Sequence, residues 1–209
     1  MPVPAQPIRL YRVALSGHSH RVELFLSLLG LPFERIDIDL AKGESRTPEY
    51  LARSPFGQVP AIEDGDVTLA DSNAILVYLA SRYDEAGTWL PRDPVAAAQV
   101  QRWLSVAAGF LAYGPAAARL VTVFGAKLDQ DNAKAIAARL YKVLEPHLAG
   151  DGFLTGARPT IADVALYTYT AVAPEGGVSL APYPNIRAWL GRVEALPGFV
   201  PIQRTAVAA

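Results

Sequence analysis

The chemistry of this chain is concentrated in residues 15–34, LSGHSHRVELFLSLLGLPFE. Ser16, His18, Ser19 and His20 fall within five residues, just ahead of an apolar run with helical spacing. A serine beside a histidine can be a nucleophile with its base. A nucleophile elbow needs Gly-x-Ser-x-Gly between strand and helix, with Asp and His further on in order, and here the serine precedes the histidines by two and four residues with no elbow. Two histidines can ligate a metal, but a zinc site takes three or four ligands. The third histidine, His147, is far along the chain, so no metal site is expected. Taken alone, Ser16 and Ser19 are helix-capping or turn serines.

Composition narrows the field further. There is no cysteine among the 209 residues, so disulfides, thiolate nucleophiles and cysteine-based zinc sites are excluded. The formal net charge is −1, which leaves no basic field for nucleic acid or anionic lipid. The N-terminal PVPAQP lacks the apolar core of a signal peptide. No unbroken apolar run reaches the ~18 residues of a membrane span, so no membrane association and a cytoplasmic location are expected.

The first 83 residues alternate strand and helix signals. IRLYRV (8–13) reads as a strand, Val22, Leu24, Phe25, Leu28 and Leu29 as a helix ended by Gly30 and Pro32, and ERIDIDL (34–40) as a strand with Ile36, Ile38 and Leu40 on one face. A helical crossover makes the two strands parallel. Two short strands, 59–62 and 67–69, flank the turn EDGD, and a helix spans 72–83. The order βαβ–ββα is that of a thioredoxin-like unit over residues 1–83. A linker follows at 84–92, and an all-helical domain at 93–209. Asp93-Pro94 opens the first helix there, and Gly114-Pro115 marks an expected kink. Thr160 and Asp163 in PTIAD make a capping box for a buried helix.

Two segments carry a resemblance. SPFGQVPAIEDGDVTLADSNAILVYLASRY (54–83) and PTIADVALYTY (159–169), in a chain of this domain order, resemble the cytosolic glutathione S-transferases, of the serine type (theta- or zeta-like). The resemblance implies a cis Val59-Pro60 bond, whose Val59 main chain pairs with the cysteinyl unit of glutathione as a strand is added to a sheet edge. It implies that Ser72, at a helix start, receives the γ-glutamyl carboxylate, with Asp71 orienting that end. Gln58, and with less support Lys42, are placed near the glycyl carboxylate.

The same resemblance turns the opening stretch into a thiol site. It places the thiol-activating residue at Ser16, with Ser19 and His18 as alternatives. A free thiol with a pKa near ~8.5 is mostly protonated at neutral pH. A hydroxyl and a helix N-terminus aimed at the sulfur favour the thiolate, and a shift of about two units corresponds to ~2.7 kcal/mol. The implied activity is attack of the glutathione thiolate on a small hydrophobic electrophile, in a homodimeric enzyme. The electrophile pocket is expected between the domains along the first bundle helix, with Phe110 and Tyr113 as candidates. Two alternatives remain. One is a zeta-like glutathione-dependent cis–trans isomerase, although His18 stands where its motif has cysteine. The other is a transferase-fold binding or interaction module without turnover.

Overall fold

The computed structural model describes residues 3–205. They divide into two compact units. The first runs through Leu90 and takes in Leu196–Gln203; the second holds Pro91–Ala195 with Arg204 and Thr205.

The first unit contains a four-stranded sheet in the order β2-β1-β3-β4. β1 (Ile8–Arg12) and β2 (Phe33–Asp37) run parallel, joined through α1 (Gly17–Leu28). β3 (Ala61–Asp64) is antiparallel to both β1 and β4 (Val67–Ala70), and the Asp64↔Val67 pair leaves Gly65-Asp66 as a two-residue turn. A helical segment of one turn (Glu44–Arg46) and α2 (Pro48–Arg53) connect β2 to β3, and α3 (Ser72–Tyr83) follows β4. This is the expected thioredoxin-like order.

Period-two alternation of strand side chains divides the core into two faces. Ile8, Leu10 and Ile62 are fully buried, as are Val22, Leu24 and Phe25 of α1 and Ile75, Leu76 and Leu79 of α3. A second cluster gathers Tyr11, Tyr50 and Ala61, with Ile36, Ile38, Val59 and Ala70 packed against it. Asp64 ties the β3–β4 hairpin to α3 by accepting from the hydroxyls of Tyr78 (2.8 Å) and Tyr83 (2.6 Å).

Two sequence expectations are corrected. β2 ends at Asp37, and Leu40 is 50% exposed rather than sharing a face with Ile36 and Ile38. The third strand begins at Ala61, two residues later than read. At Gly114-Pro115, where a kink is expected, the chain stays helical. Helix α4 (Pro94–Val106) continues through a π-helical stretch, Ala107–Ala116, into α5 (Ala117–Phe124). A wider turn absorbs the N–H that Pro115 lacks. Gly114 has a separate cause: a Cβ there would sit 2.9 Å from the Ala137 nitrogen of α6 (Gln130–His147).

The continuous helix Pro94–Phe124 is long and apolar enough to cross a membrane by length and composition, with mean hydropathy 1.4 over 18 residues, although 44% of that window is buried within the fold. Arg102, Ser105 and Arg119 interrupt its apolar residues, so no apolar run of that length occurs in it.

The second unit is all-helical, completed by α7 (Ile161–Ala171) and α8 (Pro184–Glu194). The capping box forms at α7, and its acid does more than cap. Asp163 is fully buried. One oxygen accepts from the Thr160 N–H (2.9 Å), the other from the Leu154 N–H and the Trp189 indole (both 2.9 Å). Elsewhere in the unit, buried Arg119 and Glu175 pair at 2.7 Å, and Thr205 donates its hydroxyl to Glu175 at 2.6 Å.

Removing the Asp163 carboxylate leaves two buried donors unpaired besides the lost cap. We expect Asp163→Ala to lower the unfolding free energy by about 3–5 kcal/mol and Asp163→Asn by less, measured by urea denaturation.

Candidate active site

The chain leaves β1 at Arg12 and enters α1 at Gly17, with Ser16 as the N-cap. The Ser16 Oγ accepts from the Ser19 N–H at 3.2 Å, and its carbonyl accepts from the His20 N–H at 2.9 Å. Capping uses a lone pair of the hydroxyl. Its proton is left to donate, and the half-buried side chain remains partly accessible. Ser19 differs. It is 1% exposed, and its Oγ accepts from the Val13 N–H at 3.2 Å, which pins the end of β1 to the first turn of α1.

At α3 the N-cap is Asp71, whose Oδ1 accepts from the Ala74 N–H at 2.9 Å. Asp71 adopts φ 72°, the one positive φ outside glycine among the described residues. Such a backbone costs roughly 1–3 kcal/mol and is held by its surroundings. Because Asp71 takes the capping role, the Ser72 hydroxyl serves another partner. Arg21 of α1 donates from Nη1 to Ser72 Oγ and to Asn73 Oδ1, both at 2.8 Å. His18 Nδ1 lies 3.4 Å from Ser72 Oγ. The first turns of α1 and α3 therefore meet, and each brings a serine and the positive end of a helix.

Burial, followed by the Arg21 charge, pushes the His18 imidazole down to about 3, so it is neutral near pH 7. His20 is held differently. A carbonyl only accepts, so its Nε2 donates to the Val200 oxygen, at 2.9 Å. Ser27 of α1 also donates, to the Gly198 oxygen at 2.6 Å. The segment Leu196–Gln203 is thus fastened along α1.

The Val59-Pro60 bond is cis. The β1–β3 register ends at the Tyr11↔Ala61 pair, so Val59 lies beyond the last paired position. Lys42 pairs with Asp39 at 3.2 Å and is 78% exposed, while Gln58 is exposed. Phe110 and Tyr113 belong to the second unit, 40% and 68% exposed. Phe110 lines a cavity of about 140 Å³ with Trp103, Val106, Leu140 and Val143, and the Arg139 guanidinium lies 5.4 Å from its ring centroid. Among the described residues, no group of three His, Cys, Asp or Glu side chains could hold a metal ion.

Two members of this array were not legible as such in the sequence. Arg21 is 1% exposed inside a helix, whereas an arginine ordinarily reads as solvated. Asn73 follows Ser72 in a helix whose apolar residues dominate the pattern.

The fold is a thioredoxin-like unit followed along the chain by an all-helical unit. Comparison with known families narrows it. Residues 15–82 match the glutathione S-transferase N-terminal domain and residues 102–197 the C-terminal domain. Glutathione S-transferase 3 of Zea mays is 36% identical over 205 residues, covering 92% of this chain and 91% of that protein. Human glutathione S-transferase theta-2 is 30% identical, over 91% of this chain and 82% of its own length. The crystal structure of a glutathione transferase homologue from Drosophila mojavensis with bound glutathione superposes with a TM-score of 0.81 at 29% identity, covering 91% of this chain and 89% of that one. The chain belongs to the glutathione S-transferase family, a family of transferase enzymes with glutathione as co-substrate.

The His18 shift has a sign that can be tested. Its folded pKa lies below the unfolded value near 6.5, so the neutral form is the one the fold favours. The stability this contributes is present in full above about pH 6.5 and is lost as pH falls toward 3. The loss is on the order of 1 kcal/mol per pH unit. The melting temperature of His18→Asn should therefore fall less between pH 7 and pH 5 than that of the wild type.

Proposed function

We propose that this enzyme conjugates or reduces small hydrophobic electrophiles with the glutathione thiolate, held by the Ser16 hydroxyl. The observation that carries the proposal is the state of Ser16. Its oxygen lone pair caps α1, its proton remains to be donated, and it stands at the positive end of that helix. The meeting of the α1 and α3 starts through Arg21, Ser72 and His18 supports a common anionic ligand there.

Glutathione then binds by its main chain. The Val59 N–H and C=O meet the cysteinyl C=O and N–H, the Ser72 hydroxyl and first-turn N–H groups take the γ-glutamyl carboxylate, and Asp71 faces the γ-glutamyl ammonium. Gln58 serves the glycyl end, and Lys42 does so only by exchanging Asp39 for it. The Ser16 proton points at sulfur and lowers the thiol pKa, and the thiolate attacks the electrophile. His18 lines the γ-glutamyl end as a neutral group. Phe110 and Tyr113 are the proposed electrophile contacts. The family relationship supports a cytoplasmic homodimer.

The test is titration of the bound thiol by its thiolate absorbance. In Ser16→Ala the pKa of bound glutathione should rise by about one to two units and kcat/KM at pH 6.5 should fall about 10- to 100-fold, with the glutathione Kd little changed. An unchanged titration would shift the donor to Ser19 or a backbone N–H. A second variant probes the other helix. In Ser72→Ala the glutathione Kd should rise about tenfold or more while the bound thiol pKa stays put, measured by calorimetry and the same titration.

A further inference from the structure

We infer that Tyr50 is a positioning residue for the glutathione co-substrate, because its hydroxyl, bonded to the Gln58 carbonyl, sets the direction of the Val59 N–H. This rests on the proposed pairing of Val59 with the cysteinyl unit.

The C=O of Gln58 and the N–H of Val59 belong to the same amide, and Val59-Pro60 is the one cis bond among the described residues. In a trans amide the C=O and N–H point in opposite directions. Whatever fixes the Gln58 oxygen therefore fixes the Val59 hydrogen on the other side.

The group that fixes it is Tyr50 of α2. Its side chain is 3% exposed, and its hydroxyl donates to the Gln58 oxygen at 3.0 Å. Burial pushes its pKa up to about 12, so it remains a donor across the working range. The ring itself is held edge-on to Tyr11, with centroids 6.3 Å apart, in the cluster against which Val59 packs.

The preceding amide is anchored by the same helix end. Gln58 N–H donates to Ser54 Oγ (3.2 Å), Gly57 N–H to the Ser54 oxygen (2.8 Å), and the Ser54 N–H to the Tyr50 oxygen (2.9 Å). Gly57 has φ +62°, and a Cβ there would fall 2.7 Å from the Ser45 oxygen. The loop thus has little room to rotate the Gln58–Val59 plane by another route. Tyr50 itself is bonded away from the ligand, so its effect on the ligand passes through Val59.

Tyr50→Phe keeps the ring and removes the one hydroxyl. Its glutathione Kd and KM should rise about five- to tenfold. The kcat at saturating glutathione and the bound thiol pKa should stay within error, because Ser16 is untouched. Ser54→Ala, run in parallel, should move Kd the same way if Tyr50→Phe fails to fold.

A ligand pair separates positioning from general loosening. The E-alkene isostere of the cysteinyl–glycine amide lacks the carbonyl that the Val59 N–H would meet. Wild type should bind it more weakly than glutathione, and Tyr50→Phe should weaken it no further. Equal penalties on both ligands, or a Tyr50→Phe Kd within twofold of wild type, overturn the inference alone. A wild-type protein that binds no glutathione overturns the functional reading and this inference with it.

Discussion

A buried arginine joins the first turns of two helices in this fold. Arg21 reaches from α1 to the side chains of Ser72 and Asn73 at the start of α3. A guanidinium removed from water is costly unless its donors are met. Here Nη1 has two acceptors, Ser72 Oγ and Asn73 Oδ1, at the spot where two helix macrodipoles present their positive ends. A buried positive side chain and two helix starts thus converge there.

Each functional group in this unit also has a structural duty. Ser16 caps α1, Asp71 caps α3 from a left-handed backbone, and Ser19 closes the end of β1. Capping and ligand binding do not compete, because the cap uses oxygen lone pairs and leaves hydroxyl protons. A helix start is thus a suitable place to put a thiol-stabilising hydroxyl: the cap that orders the backbone also fixes the oxygen.

Much of this was legible in the residues themselves. Gly30 and Pro32 after an apolar helix, Asp64–Asp66 as a hairpin turn and Thr160 with Asp163 as a capping box all follow from local stereochemistry, and all are present in the fold. The less legible parts depend on distant contacts. Leu40 continues an alternating pattern, yet β1 offers no partner beyond Arg12, so the strand stops at Asp37. PEYLAR is too short for a helical period to stand out, so α2 is silent in sequence although it carries Tyr50. Pro115 reads as a kink, and sequence alone does not reveal the π-helical stretch that holds it. Arg21 is buried although an arginine ordinarily reads as solvated, since its acceptors come from another helix.

That far end carries a consequence for how the polypeptide is made. Residues Leu196–Gln203 belong to the first unit, where Gly198 and Val200 supply carbonyl acceptors to Ser27 and His20 on α1. A ribosome releases the amino-terminal half long before it adds those acceptors. The nascent glutathione-binding half must wait, its first helix lacking two fasteners, until the whole bundle has been synthesised. Completion of the first unit is thereby tied to synthesis of the residues that make up the second.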